Sequence, residues 1–193
     1  MKKSSIILSI FAVPFFIMAT MPGPSSSGAP ASHTGAPGEA TCGVKGCHDD
    51  KTINAGSAAV SIQVGNSLSK YTAGQTYQIK VKITDTNVER FGFQLLALFS
   101  QDATNAGTFQ LTDKVRTQII KNELALTNRS YVTYTFNGTD AVKTGIGEWT
   151  VNWIAPSTQV GPVTFYAGAV SANDDMTDQG DDVYTSNVTL INN

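Results

Sequence analysis

The chain has 193 residues, of which 41% are hydrophobic and only 15% are charged, and its formal net charge is −2. This length allows one ordinary domain in addition to an export signal, and the weak charge excludes a basic surface for nucleic acid. Thr, Ser, Asn, Gln and Gly must therefore cover the surface, and they suit strands and turns better than long helices.

Residues 1–20 have the pattern of a cleavable signal peptide. Lys2 and Lys3 give a positive start, residues 6–17 are apolar around Pro14, and small residues follow near the cleavage point. The apolar stretch is shorter than the roughly 20 residues that cross a bilayer, so a retained membrane anchor is the weaker alternative. We predict an extracytoplasmic protein, in the periplasm, on the cell surface or secreted, with no stable membrane anchor after cleavage.

Residues 21–40 form a leader that is rich in Pro, Gly, Ser and Ala. The leader lacks the apolar periodicity of a helix or a strand, so we expect it to be extended, either free or wrapped on the domain. A cysteine and histidine segment follows at residues 41–57. The predicted domain occupies residues 58–193.

From Ala58 onward, apolar residues recur at every second position, which is the period of a β-strand. Residues 91–99 are instead almost continuously apolar, as expected of a central strand that is covered on both faces. Residues 119–126 fit either a helical turn or a strand. About eight short strands without a long helix predict an all-β, immunoglobulin-like antiparallel β-sandwich.

Trp149 and Trp153 lie four residues apart, on the same face of one predicted strand. This spacing favours packing of both rings in the core. The alternative is an exposed aromatic face that binds a ligand.

Cys42, Cys47 and His48 form the only local pattern with a chemistry of its own. In covalent haem attachment, two cysteine thiols bond to the porphyrin and the histidine after the second cysteine binds the iron. Two residues usually separate the cysteines, whereas four separate them here. The alternatives are a Cys42–Cys47 disulfide with His48 on the surface, and zinc bound by both thiolates and His48 with Asp49 or water.

Six further stretches accompany the cysteine and histidine motif, at residues 33–39, 71–77, 91–94, 153–156, 161–165 and 182–185. Together with the motif they resemble bacterial exported proteins of the choice-of-anchor V type, which are related to the Reeler domain at the N-terminus of reelin. The resemblance covers nearly all of the mature chain and implies a Reeler-like sandwich with a haem-bearing segment. It implies one covalent haem c attached at Cys42 and Cys47, with His48 as the proximal iron ligand.

A haem iron would need a distal ligand, and few residues could supply one. His33 lies nine residues before Cys42 and could fold back over the iron, although a solvated position in the leader is the competing interpretation. Met176 is the less favoured candidate, because it lies in an acidic loop. An open iron or a ligand from a neighbouring subunit are the remaining alternatives.

The acidic loop at residues 172–182 offers the hard oxygen ligands that calcium prefers. Its spacing does not match the twelve-residue calcium loop, so a solvated charge run is favoured and calcium is the lesser alternative. The carboxylates are those of Asp174, Asp175, Asp178, Asp181 and Asp182.

The sequence contains no nucleophile elbow, no paired-histidine zinc motif and no phosphate-binding glycine loop, so we expect no enzyme. Our main prediction is an exported, small monohaem c-type cytochrome-like protein that transfers electrons or binds haem. Its partner would be a redox protein or a neighbouring subunit. The alternative is a haem-free extracellular adhesion or interaction sandwich with a Cys42–Cys47 disulfide.

Overall fold

The computed structural model describes residues 27–122, 125–158 and 161–193. These ranges contain ten β-strands and one 3₁₀ helix at Phe136–Gly138, and no α-helix. The predicted signal peptide and the first six residues of the leader lie outside the described residues. The strands are β1 (Ala59–Val64), β2 (Lys70–Tyr71), β3 (Thr76–Thr84), β4 (Arg90–Phe99), β5 (Thr108–Leu111), β6 (Thr117–Lys121), β7 (Ser130–Tyr134), β8 (Ile146–Ile154), β9 (Val163–Ala172) and β10 (Asp182–Asn192).

The strands form two sheets that pack face to face around a common core. The four-stranded sheet has the order β1-β3-β8-β5, and the six-stranded sheet has the order β2-β10-β9-β4-β7-β6. All neighbours are antiparallel except β2 and β10, which pair in parallel at one edge. The predicted all-β sandwich is confirmed, and residues 119–121 of the ambiguous run at 119–126 lie in strand β6. Across the described residues, no helix is long and apolar enough to span a membrane.

Because successive side chains of a strand point to opposite faces, every second side chain of β8 reaches the core. Buried and partly exposed residues alternate along the whole strand. Trp153 is fully buried, and its ring lies 4.9 Å from the ring of Phe165 in the opposite sheet. Trp149 stacks on Phe93 at 4.3 Å. Core packing of both tryptophans is therefore confirmed.

The leader crosses the six-stranded sheet and buries part of its outer face as well. Gln94 of β4 points outward and is buried. Its Nε2 donates to the carbonyl oxygen of Pro30 at 2.8 Å, and its Oε1 accepts the N–H of His33 at 2.8 Å. Gly168 of β9 makes room for this crossing, since a Cβ there would lie 2.5 Å from the carbonyl oxygen of His33.

A buried ion pair holds the end of the leader. Oε1 of Glu39 lies 2.6 Å from Nη1 of Arg129, and the two side chains are 0% and 7% exposed. The same oxygen accepts the hydroxyl of Tyr131 at 2.8 Å, and Oε2 accepts the hydroxyl of Thr34 at 2.5 Å. A buried carboxylate is costly unless it is paired and hydrogen-bonded. The described part of the leader is therefore wrapped on the sandwich.

Candidate functional site

A cleft of about 380 Å³ opens on the outer face of the six-stranded sheet, where β4 begins and β9 ends. Outward-facing residues of these strands, including Gly92 and Val170, form its floor. His48 lines it from the cysteine segment, Phe136 from the 3₁₀ helix, and Met176 from the loop between β9 and β10. Three connections that are distant in the sequence thus meet around one concavity.

Gly92 lets an aromatic ring close one side of this floor. A Cβ at this position would lie 2.8 Å from the ring of Tyr134. Burial raises the pKa of the Tyr134 hydroxyl above its usual range, so this group stays neutral in the cleft.

His48 and Asp181 meet at the cleft wall. Nδ1 of His48 lies 2.7 Å from Oδ2 of Asp181, whose side chain is only 2% exposed. The ring is not oriented for a regular hydrogen bond, so the contact is a close polar pair rather than a linear bond. Oδ1 of Asp181 accepts the N–H of Asn173 at 2.9 Å, and the N–H of His48 reaches the carbonyl oxygen of Cys42 at 3.2 Å. Backbone contacts therefore fix both members of the pair.

Arg90 supplies the one fixed cation among the described residues that line the cleft. Its guanidinium contacts the carboxylate of Asp140 and donates to the hydroxyl of Thr139 at 3.1 Å. Its Nε lies 3.4 Å from Oδ1 of Asp174. Since Asp174 and Asp181 also line the cleft, its fixed charges are one positive and two negative. The lining is mildly acidic.

Two large apolar side chains project at the edge of the cleft. Met176 is 96% exposed and Phe136 is 59% exposed. Asp174 and Met176 both have left-handed backbone conformations, with φ of 60° and 67°. Exposed apolar groups beside a concave surface are typical of binding sites.

The aspartates of residues 172–182 pair with neighbouring groups and do not converge on a metal site. Asp175 accepts the N–H and the hydroxyl of Thr177 at 2.9 and 2.7 Å, and these hydrogen bonds lower its pKa. Asp182 lies 3.1 Å from Nζ of Lys51. In the part of the chain that the structure describes, no group of three or more His, Cys, Asp or Glu side chains could hold a metal ion. The calcium alternative is therefore wrong, and the zinc alternative has no site there.

The two cysteines have different surroundings. Cys42 is buried and packs against Val170 and Val183, and burial raises the pKa of its thiol to about 12. Cys47 is half-buried, and partial burial together with the charges of nearby carboxylates raises its pKa as well. Both are free thiols in this structure.

The two predicted distal ligands lie in different places. Met176 lines the same cleft as His48, but its side chain is almost fully exposed. His33 does not line the cleft, and its Nδ1 lies 2.9 Å from the carbonyl oxygen of Pro30 in its own leader. Sequence reasoning missed Arg90 and Phe136, because neither lies in a local motif. The sequence marks Asp181 only as one member of the acidic run.

The Reeler domain family model matches residues 45–175. The structure of the Reelin-N domain of F-spondin is similar at 25% identity, covers 69% of this chain and 86% of that one, and has a TM-score of 0.49. The human F-spondin reeler domain is similar at 23% identity over 69% and 88% of the two chains, with a TM-score of 0.50, and shows the same fold. No curated protein matches the chain.

The prediction of a covalent haem is wrong, and with it the cytochrome-like function, the iron, the electron transfer and the redox partner. The matching family is the Reeler domain and not a cytochrome family. The match begins at residue 45, inside the cysteine motif, so it leaves out Cys42. The Cys42 thiol is buried beside Gly168 under the leader, where a porphyrin edge has no room. The findings favour the alternative, a haem-free interaction sandwich.

Proposed function

This chain belongs to the Reeler domain family, and from that premise we propose that it is an exported interaction module that binds a partner at the cleft beside His48. Reeler domains mediate protein interactions outside the cell, which supports both the location and the class of function. The predicted signal peptide at residues 1–20 supports the same location. We also propose that the chain is of the choice-of-anchor V type, which the resemblance of its sequence supports.

The observation that carries the proposal is the lining of the cleft. Its floor is apolar at Val170 and Ala172, its edge carries exposed Phe136 and Met176, and the His48 and Asp181 pair adds polar groups. Binding sites typically combine such an apolar surface with a few placed polar groups. The module has no catalytic role in this proposal. The Cys42 thiol, with its pKa near 12, is a poor nucleophile at neutral pH.

A Cys42–Cys47 disulfide is the second part of this proposal. In an oxidising compartment two nearby thiols rarely stay free, and backbone hydrogen bonds already curl this segment into a tight loop. As the S–S bond forms, the two electrons pass to the disulfide of a thiol oxidase, whose own S–S bond breaks. The two protons that the cysteine thiols lose end on the oxidase's sulfurs. The bond would hold the segment that carries His48 against β9 and β10.

Intact mass spectrometry of the protein from its native compartment tests export and the disulfide together. We expect the mass of the chain without its signal peptide, less two hydrogens. A mass that includes the signal peptide would contradict export. A mature mass with no loss of hydrogens, or no shift on reduction, would contradict the disulfide.

Peptides selected from a displayed library on the immobilised protein test the cleft. We expect the Phe136→Ser, Met176→Ser double variant to bind the selected peptides much more weakly than the parent, because both side chains form the exposed edge of the cleft. Ile191→Ser is the matched control, since Ile191 is 48% exposed near the far end of β10. All variants must keep the cooperative unfolding of the parent. Equal binding to the double variant and the control would contradict the cleft as the binding site.

A further inference from the structure

We infer that the cleft receives a basic side chain, a lysine or arginine of a partner polypeptide. The inference rests on the proposed binding function of the cleft and adds the chemistry of its occupant. It is carried by the charge distribution around the cleft and by the shape and polarity of its walls.

Carboxylates are in excess at this end of the molecule. Residues 172–182, which comprise the loop between β9 and β10 and one strand residue at each end, have five aspartates and no lysine or arginine, although the whole chain has 15 acidic and 13 basic residues. Two nearby cations are already paired, Lys51 with Asp182 at 3.1 Å, and Arg90 with Asp140 and Asp174. A third, Arg116, donates to the backbone carbonyl oxygens of Gly138 and Asp140, and the carboxylates still outnumber the three cations. The field that remains at the cleft is therefore negative, and it attracts cations.

The cleft also suits the hydrocarbon part of a basic side chain. Lysine and arginine bury their methylene stems on apolar surface while the charged head stays among polar groups. Val170 and Ala172 offer such a surface at the floor, and the exposed ring of Phe136 can receive a cation on its face. The volume of about 380 Å³ is ample for one long side chain.

Asp181 favours a basic occupant of the cleft over an acidic or an apolar one. Its side chain is 2% exposed and its close partner at the cleft, His48, is an imidazole and not a fixed cation. A carboxylate with little access to water interacts more strongly with a cation than a surface carboxylate does. An acidic occupant would be repelled, and a purely apolar one would desolvate the carboxylate without compensation.

Amide NMR titration of the mature protein tests the inference with three capped pentapeptides that differ only in a central Lys, Glu or Leu. We expect the Lys peptide to shift the signals of Gly92, Thr177 and Asp181 in a saturable way, on the order of tenfold more tightly than the Glu peptide. Raising the salt concentration should weaken this binding. Asp174→Asn should weaken it several-fold, whereas Glu148→Gln, which removes a carboxylate on the other sheet, should not.

The outcomes separate this inference from the proposed function. If the Leu or Glu peptide binds the cleft as tightly as the Lys peptide, the basic occupant is refuted and the cleft remains a binding site. If the Lys peptide shifts only signals away from the cleft, the inference also falls. If no peptide shifts cleft signals, and the library selection also finds no binder there, the proposed function falls with it.

Discussion

Two tryptophans of β8 combine core packing with a satisfied hydrogen bond. Nε1 of Trp153 donates to the carbonyl oxygen of Ala106 at 2.8 Å, and Nε1 of Trp149 donates to that of Gly138 at 2.8 Å. Both indoles are thus buried without leaving a donor unpaired, as buried tryptophans require. Each also ties a loop to the four-stranded sheet.

Replacement of Trp153 should therefore be costly. Trp153→Ala leaves a large cavity between the sheets, and we expect the free energy of unfolding in urea to fall by about 3–5 kcal/mol. Ile191→Ala, at a residue that is 48% exposed, should change it by less than about 0.5 kcal/mol. A loss at Trp153 as small as that of the control would mean that the ring does not fill the core.

The two thiols should differ in reactivity because the thiolate is the reactive form. Burial raises the pKa of Cys42 to about 12, whereas Cys47 is only partly buried. At pH 8 almost no Cys42 thiolate exists, and its sulfur is covered by packing. After reduction, iodoacetamide should modify Cys47 first and Cys42 only in denaturant, as peptide mapping will show. Faster alkylation of Cys42 would contradict the structure.

At the scale of elements, most strands could be predicted from the sequence, whereas the path of the leader across the sheet could not. Alternation marks β3 and β8, and continuous apolarity marks β4, because a strand shows its burial through the period of its own side chains. The parallel β2 has two residues, too few for any period. The leader has no apolar period either. It is held on the sheet partly by hydrogen bonds between its backbone groups and the Gln94 side chain, which lies 61 to 65 residues further along the chain.

The cleft could be predicted from the sequence only in part. The cysteine motif singled out His48, since its pattern is local. The partner of His48, Asp181, lies 133 residues away in the chain, and no spacing rule connects two loops that meet only after the sheets have formed. A motif that favoured haem chemistry therefore marked a position in the site and gave the wrong chemistry for it.

The Glu39 and Arg129 pair should hold the leader in place. Glu39→Gln leaves the guanidinium buried without its counter-charge, and we expect the free energy of unfolding in urea to fall by about 3–5 kcal/mol. The matched control is Glu148→Gln, which breaks a half-exposed pair with Lys80 at 3.0 Å. That change should cost no more than about 1 kcal/mol. Equal costs for the two variants would show that the first pair is accessible to water.

At the scale of the whole molecule, the six-stranded sheet lies between two layers. Its inner face packs on the four-stranded sheet, and its outer face is covered by leader residues around Ala36, which pack on Leu96, Leu98 and Tyr131. The family match begins after these leader residues. The outer layer is therefore contributed by a part of the chain that precedes the matched region.

Removal of the outer layer should expose an apolar face. The test is a comparison of a chain that begins at Ser27 with one that begins at Cys42, which lacks the leader residues that the structure describes. The shorter chain loses the cover of Leu96 and Leu98 and leaves Arg129 without Glu39, so its urea midpoint should fall markedly. It should also bind a dye that fluoresces on apolar surface, which the longer chain should not. Equal midpoints and equal dye binding would show that the sandwich is complete without its leader.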